Sequence, residues 1–297
     1  MSMGWEDTFK TWSQPPGKTQ QEKCDNAVTA VRRAIAAHAT LSQMEVEVSP
    51  QGSYRARTNV RQDSDVDVCV CLKSVAFCDY PTGKTGADYG RSPSDLRFST
   101  YKGWVQESLQ DWFGKSSVRC GNKAFDVHEN TYRVDADVLP AFQHRRYYGE
   151  EWTQYHLGVA FKTDKGDLVK NWPQQNYDNG VAKNEATARR YKALIRILKN
   201  LRNKMQEDKI AVAKDVASFL IECLVWNVPN EGFGRDTYTA AVQYVLAHTF
   251  NHTLKPETCK EWGEVNELNY LFWLGEPWTL AQANAFLDAA WDYVGFK

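Results

Sequence analysis

The sequence predicts an α+β protein in which a region of strands precedes a long helical region. Apolar and polar residues alternate in several segments between 45 and 170, which indicates strands. After about residue 170 the apolar residues follow helical spacing, and Pro and Gly separate the segments. We therefore expect a mixed-sheet lobe over 1–175 and a helical lobe over 176–297, with the active-site cleft between them.

The first elements are a helix and a short strand. Apolar residues at helical spacing predict a helix over 19–40, and Thr19 with Glu22 predicts a capping box at its start. Alternation over 45–48 predicts a strand that ends before Gly52. This order places a glycine-containing turn between the first strand and the next one.

The strongest alternation, over 65–72, predicts the clearest strand, and residues 79–95 read as a loop. The later elements are predicted as a helix over 96–113, strands over 117–128 and 131–139, a hairpin over 156–170, and helices over 185–206, 211–226, 236–250, 260–274 and 279–294.

Charge and composition exclude several functional classes. The net charge of the 297 residues is −1, so constitutive binding to duplex DNA is not expected and any nucleic-acid contact needs a local basic patch. No apolar run approaches the roughly 20 residues that span a bilayer, and the first residues lack the apolar core of a signal peptide. Seven scattered Cys form no zinc motif. We expect reduced thiols and a cytoplasmic protein without membrane contact.

Two carboxylates define the first candidate site. Asp65 and Asp67 are two residues apart on a predicted strand, so their side chains project from the same face. Paired carboxylates repel each other, and a divalent cation such as Mg²⁺ neutralises them. An isolated pair is more often a solvated strand end. Gly52-Ser53, just after the preceding strand, favours the metal site because such a turn lets the backbone approach a phosphate.

A third carboxylate is expected from the strand predicted over 131–139. Asp135 and Asp137 alternate there with apolar residues, so both lie on one face. Two-metal transfer requires acids that bridge the ions, and either residue could serve. The residues alone leave this choice open.

These motifs together resemble a known superfamily. Gly52-Ser53, residues 65–68 (DVDV) and residues 135–140 (DADVLP) are similar to the motifs of polymerase-beta-like nucleotidyltransferases. Within that superfamily the chain resembles the bacterial CD-NTases, relatives of cyclic GMP–AMP synthase and oligoadenylate synthase. The resemblance is clear over about 45–225. It implies a polymerase-beta-like lobe completed by the helical lobe, and synthesis of a cyclic oligonucleotide, expected to be a dinucleotide, for antiviral (CBASS) signalling.

The resemblance also implies ligands and substrates. Asp65, Asp67 and a third acid would hold two Mg²⁺ ions, with Mn²⁺ as a substitute, and carry out catalysis. Asp137 is preferred over Asp135, because in the family the last acid precedes two apolar residues and often Pro. Gly52 and Ser53 would bind nucleotide. Nucleoside triphosphates, including ATP, would be both donor and acceptor.

Further nucleotide contacts are implied in the helical half. Lys199 belongs to a basic stripe, formed with Arg189, Lys192 and Arg196 by helical spacing, which fits either a solvated face or a surface turned toward triphosphate. The resemblance assigns phosphate contacts to Lys199 and Ser218. It assigns base stacking to Phe219, whose spacing fits core packing equally well.

The segment that joins the lobes contains amide side chains. In related enzymes an Asn in this region reads a pyrimidine acceptor, and Asn171, Asn176 and Asn179 are all candidates for nucleotide binding. Residues 144–147 (HRRY) form a basic and aromatic cluster. A surface turn explains this cluster better than a grip on acceptor nucleotide or RNA.

Two other functions remain open from the sequence. The same chemistry could make linear oligonucleotides or modify another acceptor, and a non-catalytic nucleotide or RNA sensor could use the same fold. An activator RNA or a regulatory protein is an expected partner. The bases joined and the linkage are undetermined at this stage.

Overall fold

The computed structural model describes residues 4–60, 65–273, 275 and 277–297. These residues form two compact units. The sheet unit contains residues 17–55 and 65–173. The helical unit contains residues 4–16 and 56–60 together with the described residues from Gln174 to Lys297.

The sheet unit is built on a seven-stranded mixed sheet, counted over the described residues. Its strands are β1 (Val46–Pro50), β2 (Val66–Asp79), β3 (Val118–Cys120), β4 (Phe125–Val127), β5 (Ala136–Tyr147), β6 (Tyr155–Lys162) and β7 (Leu168–Asn171). The order is β1-β2-β5-β4-β3, with β6 paired to β5 and β7 paired to β6. Strands β2 and β5 are parallel, and the other pairs are antiparallel.

The helices of both units follow in chain order. They are α1 (Trp5–Trp12), α2 (Lys18–Ala37), α3 (Gly52–Ala56), α4 (Phe98–Phe113), α5 (Pro173–Ala186), α6 (Arg190–Glu207), α7 (Ser218–Trp226), α8 (Tyr238–Thr253), α9 (Pro256–Cys259) and α10 (Leu280–Val294). No helix in the described part of the chain has the length and apolar content needed to cross a membrane.

The core of the sheet unit explains the alternation in β2. Val66, Val68 and Val70 are fully buried and belong to one apolar cluster with residues of α2 and α4, such as Val28 and Tyr101. Burying this face removes apolar area from water, which stabilises the strand and its register. Asp67, between two of these valines, is exposed. The packing thus leaves the carboxylate on the opposite face of the strand.

The core of the helical unit surrounds α6. Leu194, Ile195, Leu198 and Leu201 are almost completely buried, in one cluster with residues of α7, α8 and α10. This cluster also contains Phe9 of α1. The described residues of 4–16 and 56–60 therefore belong with the helical unit, whereas the sequence suggested one boundary at residue 175.

The predicted α+β class with a mixed sheet and C-terminal helices is confirmed. Several elements differ from the prediction. The segment 117–128 is a hairpin of β3 and β4, and β5 starts only at Ala136. Helix α5 occupies part of the segment that was expected to join the lobes. The described part of 260–274 is irregular rather than helical, and residue 274 lies outside the described residues.

The predicted capping box at the start of α2 is wrong. The helix begins at Lys18, so Thr19 lies inside it and Gly17 is the N-cap residue. Glycine has no side chain to accept a capping hydrogen bond. The helix itself is confirmed over Lys18–Ala37. Its stability in the fold comes from its buried apolar face rather than from a polar cap.

Candidate active site

Two of the predicted acids are direct neighbours in the sheet. In the parallel pair β2–β5, Asp67 is the register partner of Asp137. Adjacent strands lie about 4.8 Å apart, so both carboxylates leave neighbouring points of the sheet. Asp65 precedes β2 directly and is exposed. Asp67 and Asp137 therefore both lie near the N-terminal ends of their parallel strands, at the same end of the sheet.

Asp65 also lies close to α2. Burial, together with the negative charges of Asp25 and Asp65, raises the pKa of the Cys24 thiol to about 11. Asp65 therefore lies near enough to α2 for its charge to act on Cys24.

Gly52 lies directly against the Asp67 carboxylate. A Cβ atom on Gly52 would fall 1.9 Å from Asp67 Oδ2, and the φ of Gly52 is +61°. The Gln51 backbone N–H donates a 2.8 Å hydrogen bond to the Asp67 carbonyl. Only a residue without a side chain fits here, because any Cβ would occupy the space of the carboxylate. Ser53 follows in α3 and is half-buried.

The choice between Asp135 and Asp137 has a structural basis. Asp135 precedes β5, and its Oδ1 accepts a hydrogen bond from the Glu129 backbone N–H. Its carboxylate thus holds the loop before the strand. Asp137 lies within β5 beside Asp67. Burial, together with the negative charges of Asp126 and Asp67, raises the pKa of Asp137 to about 7.

Asp126 is an acid that sequence reasoning missed. It lies on β4 and is the antiparallel register partner of Asp137. Its carboxylate is also 3.6 Å from Arg119 Nε. The sequence contains a signal for this acid, because Asp126 lies between two apolar residues, Phe125 and Val127. Both are buried in the structure. The pattern of an acid between two buried residues is the same as at Asp67.

These acids fit a divalent cation. Asp67, Asp137 and Asp126 sit on adjacent strands, and their mutual repulsion raises the pKa of Asp137 in the absence of a counter-charge. Among the described residues, no group of three or more His, Cys, Asp or Glu side chains is placed to hold a metal ion by itself. Mg²⁺ typically binds one or two carboxylates and takes its other ligands from water and substrate phosphates. An open set of carboxylates matches that requirement.

Lys199 is placed differently from the expectation. Its side chain is completely buried, and its Nζ lies 2.6 Å from Glu222 Oε1. Thr58 Oγ1 donates a 2.8 Å hydrogen bond to the same Glu222 oxygen. The charge of Lys199 is therefore neutralised within the helical unit, and contact with a phosphate would require this ion pair to open.

Of the other stripe residues, Lys192 and Arg196 are buried, whereas Arg189 precedes α6 and is exposed. Arg196 donates from Nε to the Ser13 carbonyl at 2.7 Å and from Nη1 to the Arg57 carbonyl at 2.6 Å. Burial lowers the pKa of Arg196 to about 10. Burial likewise lowers the pKa of Lys192. Arg196 thus holds backbone of two segments onto α6, so a solvated face is the wrong explanation for the stripe.

Ser218 and Phe219 begin α7, and both are half-buried. The Phe219 ring lies 6.1 Å from the Trp278 ring, at the margin of the apolar cluster. Part of Phe219 therefore remains accessible at the helix N-terminus, so its core contact and its predicted stacking role are compatible.

The three candidate Asn residues differ in their contacts. Asn179 Nδ2 donates a 2.8 Å hydrogen bond to the Val265 carbonyl. Asn171 ends β7 and pairs with Val159 of β6. Asn176 lies in α5, and its Oδ1 is buried without a hydrogen-bond partner among the described residues. Of the three, Asn176 has the side-chain oxygen that lacks a donor.

The interpretation of residues 144–147 as a surface turn is wrong. They lie in β5, and His144 and Tyr147 are buried. His144 Nε2 is 3.3 Å from Asp79 Oδ2, and Lys170 Nζ is 2.7 Å from the same carboxylate. The four residues continue β5 without alternating in burial, because Arg145 and Arg146 are both half-buried, and β6 pairs with them in the sheet.

Comparisons with known proteins agree with this geometry. Residues 178–295 match the family described as the cGAS/DncV-like nucleotidyltransferase C-terminal helical domain. The cyclic dipyrimidine nucleotide synthase CdnE of Legionella pneumophila is 40% identical over 296 residues, covering 99% of each chain. The synthase of the same name from Cecembia lonarensis is 40% identical over 292 residues, covering 98% of each chain.

A solved structure extends the agreement to the fold. The Rhodothermus marinus CdnE c-UMP-AMP synthase, solved with Apcpp and Upnpp, matches with a TM-score of 0.84 and 30% identity, covering 98% of each chain. Similarity over nearly the full length of these synthases, together with the acids at the start of β2 and β5, shows that the chain is an enzyme and belongs to the CD-NTase family of nucleotidyltransferases.

Proposed function

We propose that this chain joins two pyrimidine nucleoside triphosphates and cyclises them into a dipyrimidine nucleotide for antiviral signalling. The observation that supports the chemistry is the register pairing of Asp67 with Asp137, with the Gly52 backbone against Asp67. The names of the relatives from Legionella pneumophila and Cecembia lonarensis support the choice of pyrimidines.

The proposed reaction consists of two transfers of the same kind. In each, a sugar hydroxyl of one nucleotide attacks the α-phosphorus of another, a P–O bond forms, and the bond to pyrophosphate breaks. The hydroxyl loses its proton, and pyrophosphate leaves with the electrons of the broken bond. The second transfer closes the ring. Positioning and charge neutralisation are the protein's main contributions to such displacements.

The acids of the sheet unit are proposed to hold two Mg²⁺ ions, which Mn²⁺ can replace. Asp65, Asp67 and Asp137 are the proposed ligands. When bound, the ions would favour ionisation of the attacking hydroxyl and neutralise charge on the leaving pyrophosphate. Asp126 flanks Asp137 and would keep negative charge beside it. Gly52 and Ser53 would bring backbone N–H groups to the triphosphate.

Base and phosphate recognition is proposed for the helical unit. Ser218 would contact phosphate, and the accessible part of Phe219 would stack on a base. Asn176 is our first choice for reading a pyrimidine, because its buried Oδ1 lacks a hydrogen-bond partner among the described residues. After rotation of the side chain toward the nucleotide, Oδ1 would accept from uracil N3–H and Nδ2 would donate to a carbonyl. Asn171 and Asn179 remain alternatives. Lys199 remains a predicted phosphate contact that would have to leave Glu222.

A product assay tests the proposal. The full chain is incubated with Mg²⁺ and all four nucleoside triphosphates, and the products are identified by chromatography and mass spectrometry after phosphatase treatment. We expect a phosphatase-resistant product that contains only pyrimidines. A purine-containing ring would contradict the choice of bases. A phosphatase-sensitive product would favour linear synthesis or another acceptor instead.

Matched variants test the acids in the same assay. Asp67→Asn and Asp137→Asn should abolish product, whereas Asp135→Asn should retain most of it, because Asp135 holds a loop rather than facing Asp67. Nucleotide binding without turnover, unaffected by Asp67→Asn, would instead support a sensor. If the wild-type chain is inactive, the assay is repeated with RNA or a regulatory protein as the proposed activator.

A further inference from the structure

The outer edge of β2 is open over the second half of the strand. Strand β1 pairs with residues 68–72 of β2, and the Lys73 backbone N–H donates a 2.9 Å hydrogen bond to the Glu45 carbonyl. Over residues 74–79, no strand in the described part of the chain pairs with that edge. An edge strand presents N–H and C=O groups that can pair with a further strand.

An open cavity borders this edge. Its volume is about 590 Å³, which is within the range of ligand sites. The second half of β2 contributes Val75, Ala76 and Phe77 to the lining. The segment that leads into α4 contributes Leu96 and Arg97. A chain segment that paired with the open edge would therefore lie along the cavity.

Apolar side chains form one wall of the cavity. Val75, Phe77 and Leu96 line it and are half-buried, so part of each is accessible. Phe142 of β5 lies behind them, with its ring 5.5 Å from the Phe77 ring. Successive side chains of a strand point to opposite faces of the sheet. An added strand would thus place every second side chain against this apolar wall.

The charged residues that line the cavity are mainly positive. They are the cations Arg97, Lys102 and Lys162 and one carboxylate, Asp164. Lys102 Nζ lies 2.6 Å from Asp164 Oδ1, so these two charges neutralise each other. Arg97 and Lys162 are exposed, and neither forms an ion pair with any residue that the structure describes. Two accessible cations without a counter-charge favour an acidic partner.

Two acids near the cavity in sequence do not change this balance. Asp95 is exposed and lies outside the cavity lining. Asp167 is held within its own turn, because its Oδ2 accepts a 3.3 Å hydrogen bond from the Thr163 hydroxyl and its backbone N–H donates to the same hydroxyl at 3.1 Å. The positive charge of the cavity therefore remains available to a ligand.

The cavity is separate from the proposed catalytic acids. Phe77 and Phe142 pack with the apolar cluster that contains Val66 and Val68, whereas the Asp67 carboxylate lies on the opposite face of β2. Phe77 also follows Asp67 by ten residues, which is roughly 30 Å along a strand. A ligand of the cavity is therefore not a substrate at the acids.

We propose that the open edge of β2 and this cavity bind an extended acidic segment of a partner protein, which adds to the sheet as a further strand. The segment's backbone would pair with residues 74–79, and its apolar side chains would lie against Phe77 and Leu96. Its carboxylates would meet Arg97 and Lys162. RNA fits the site less well, because two free cations are few for phosphate-driven binding and a nucleotide chain cannot continue a sheet.

Fluorescence anisotropy with labelled seven-residue peptides and the full chain tests the proposal. The four probes alternate Glu with Val, Ile, Leu or Phe, and in four control peptides Lys replaces Glu. We expect at least one acidic peptide to bind at low salt and the Lys peptides not to bind. Arg97→Gln and Lys162→Gln should each weaken binding about threefold. Leu96→Ala should weaken it about fivefold through loss of apolar contact.

Backbone pairing is tested separately with two N-methylated versions of the binding peptide. The methyl groups block the N–H groups of either the odd or the even positions, which lie on opposite edges of the peptide strand. Only one edge of an added strand pairs with β2. We therefore expect one version to lose binding and the other to retain it, and an equal response of both versions would overturn strand addition.

Two matched variants control for a general loss of positive charge. Lys165 is exposed in the turn that contains Asp164, and Arg33 is exposed on α2, but neither lines the cavity. Lys165→Gln and Arg33→Gln should leave the affinity unchanged. The proposal fails if none of the four acidic peptides binds, if the Lys peptides bind equally well, or if the three cavity variants do not weaken binding. Displacement of the peptide by an RNA oligonucleotide would assign the cavity to RNA instead.

Discussion

The close approach of Gly52 to Asp67 links the turn after β1 to a carboxylate that we propose is catalytic. The distance of 1.9 Å from a Cβ at position 52 to Asp67 Oδ2 leaves no room for a methyl group. Gly52→Ala should therefore displace the carboxylate and reduce product formation about 100-fold, the effect expected when reacting groups move by about 1 Å. The rate of pyrophosphate release measures this.

Gly83→Ala is the control for backbone strain. Gly83 has a φ of +82°, and a Cβ there would have nothing within 4 Å. Both substitutions strain the backbone, but only the one at Gly52 contacts an acid. We expect Gly83→Ala to lower thermal stability slightly and to keep the turnover rate. Equal loss of activity in both variants would show that strain alone is responsible.

The raised pKa of Asp137 predicts that the stability of the fold depends on pH. Divalent cations should suppress this dependence. Burial and the charges of Asp126 and Asp67 raise its pKa to about 7, from a usual value of 3.8. Between these two pH values the unfolded chain has released this proton while the folded chain retains it, so stability falls as pH rises through that window.

The variant Asp137→Asn should not show this fall in stability as pH rises, because its side chain does not titrate. The two pH units between pH 5 and a pKa of about 7 correspond to about 2.7 kcal/mol, and solvent screening of the half-buried carboxyl reduces this to about 1 kcal/mol. In EDTA we therefore expect the Tm difference between variant and wild type to increase by about 2–4 °C from pH 5 to pH 8. Mg²⁺ should raise the Tm of the wild-type chain and have less effect on the variant. A difference that is independent of pH would contradict the assignment of Asp137 to the acid cluster.

At the scale of elements, the pairing of α6 with α7 includes a buried ion pair. Lys199 is completely buried beside Glu222, and Thr58 donates to the same carboxylate. Lys199→Met should destabilise the chain by about 3–5 kcal/mol, because it leaves Glu222 charged and buried without its partner. Chemical denaturation measures this loss.

The double variant Lys199→Met/Glu222→Leu should regain most of that stability, because it removes the uncompensated charge. Its Michaelis constant for UTP then tests the predicted phosphate contact. If the double variant is stable and binds UTP normally, Lys199 has a structural role only. A Michaelis constant raised by tenfold or more would show that Lys199 also reaches the triphosphate.

At the scale of the whole molecule, the chain does not divide at one point. Phe9 of α1 is fully buried in the core around α6, and its ring lies 5.3 Å from Trp5 and 6.0 Å from Trp12. Glu6 of the same helix accepts hydrogen bonds from the backbone N–H groups of Tyr238 and Thr239. The N-terminal helix therefore stabilises α6 and α8, more than 170 residues later.

Phe9→Ala tests this assignment. Removing a buried Phe ring should cost about 3–5 kcal/mol. Hydrogen exchange should show lost protection in α6, α8 and α10, with unchanged protection in β2 and β5. The control Thr8→Ala, at the half-buried residue next to Phe9 in the same helix, should change neither. Faster exchange in β2 and β5 after Phe9→Ala would contradict the division into two units.

Local periodicity was sufficient for much of the fold and for part of the site. The alternation at Val66, Val68 and Val70 predicted β2 and placed Asp65 and Asp67 on one face, and helical spacing predicted α2 and α4. These features depend on residues within one turn or one strand, whose geometry the backbone dictates. The sequence motifs with their family resemblance then identified the chemistry.

Contacts between segments that are distant in the sequence decided which acids meet and which side chains are buried. The register of β5 against β2 and β4 placed Asp137 beside Asp67 and added Asp126. The burial of Lys199 depends on Glu222 and Thr58, which are far from it in sequence. Helical spacing could place Lys199 on a stripe but could not show what covers that stripe. The sequence by itself therefore determined which acids share a strand face, while tertiary packing decided which of them meet, because strand register and burial arise only when separate segments come together.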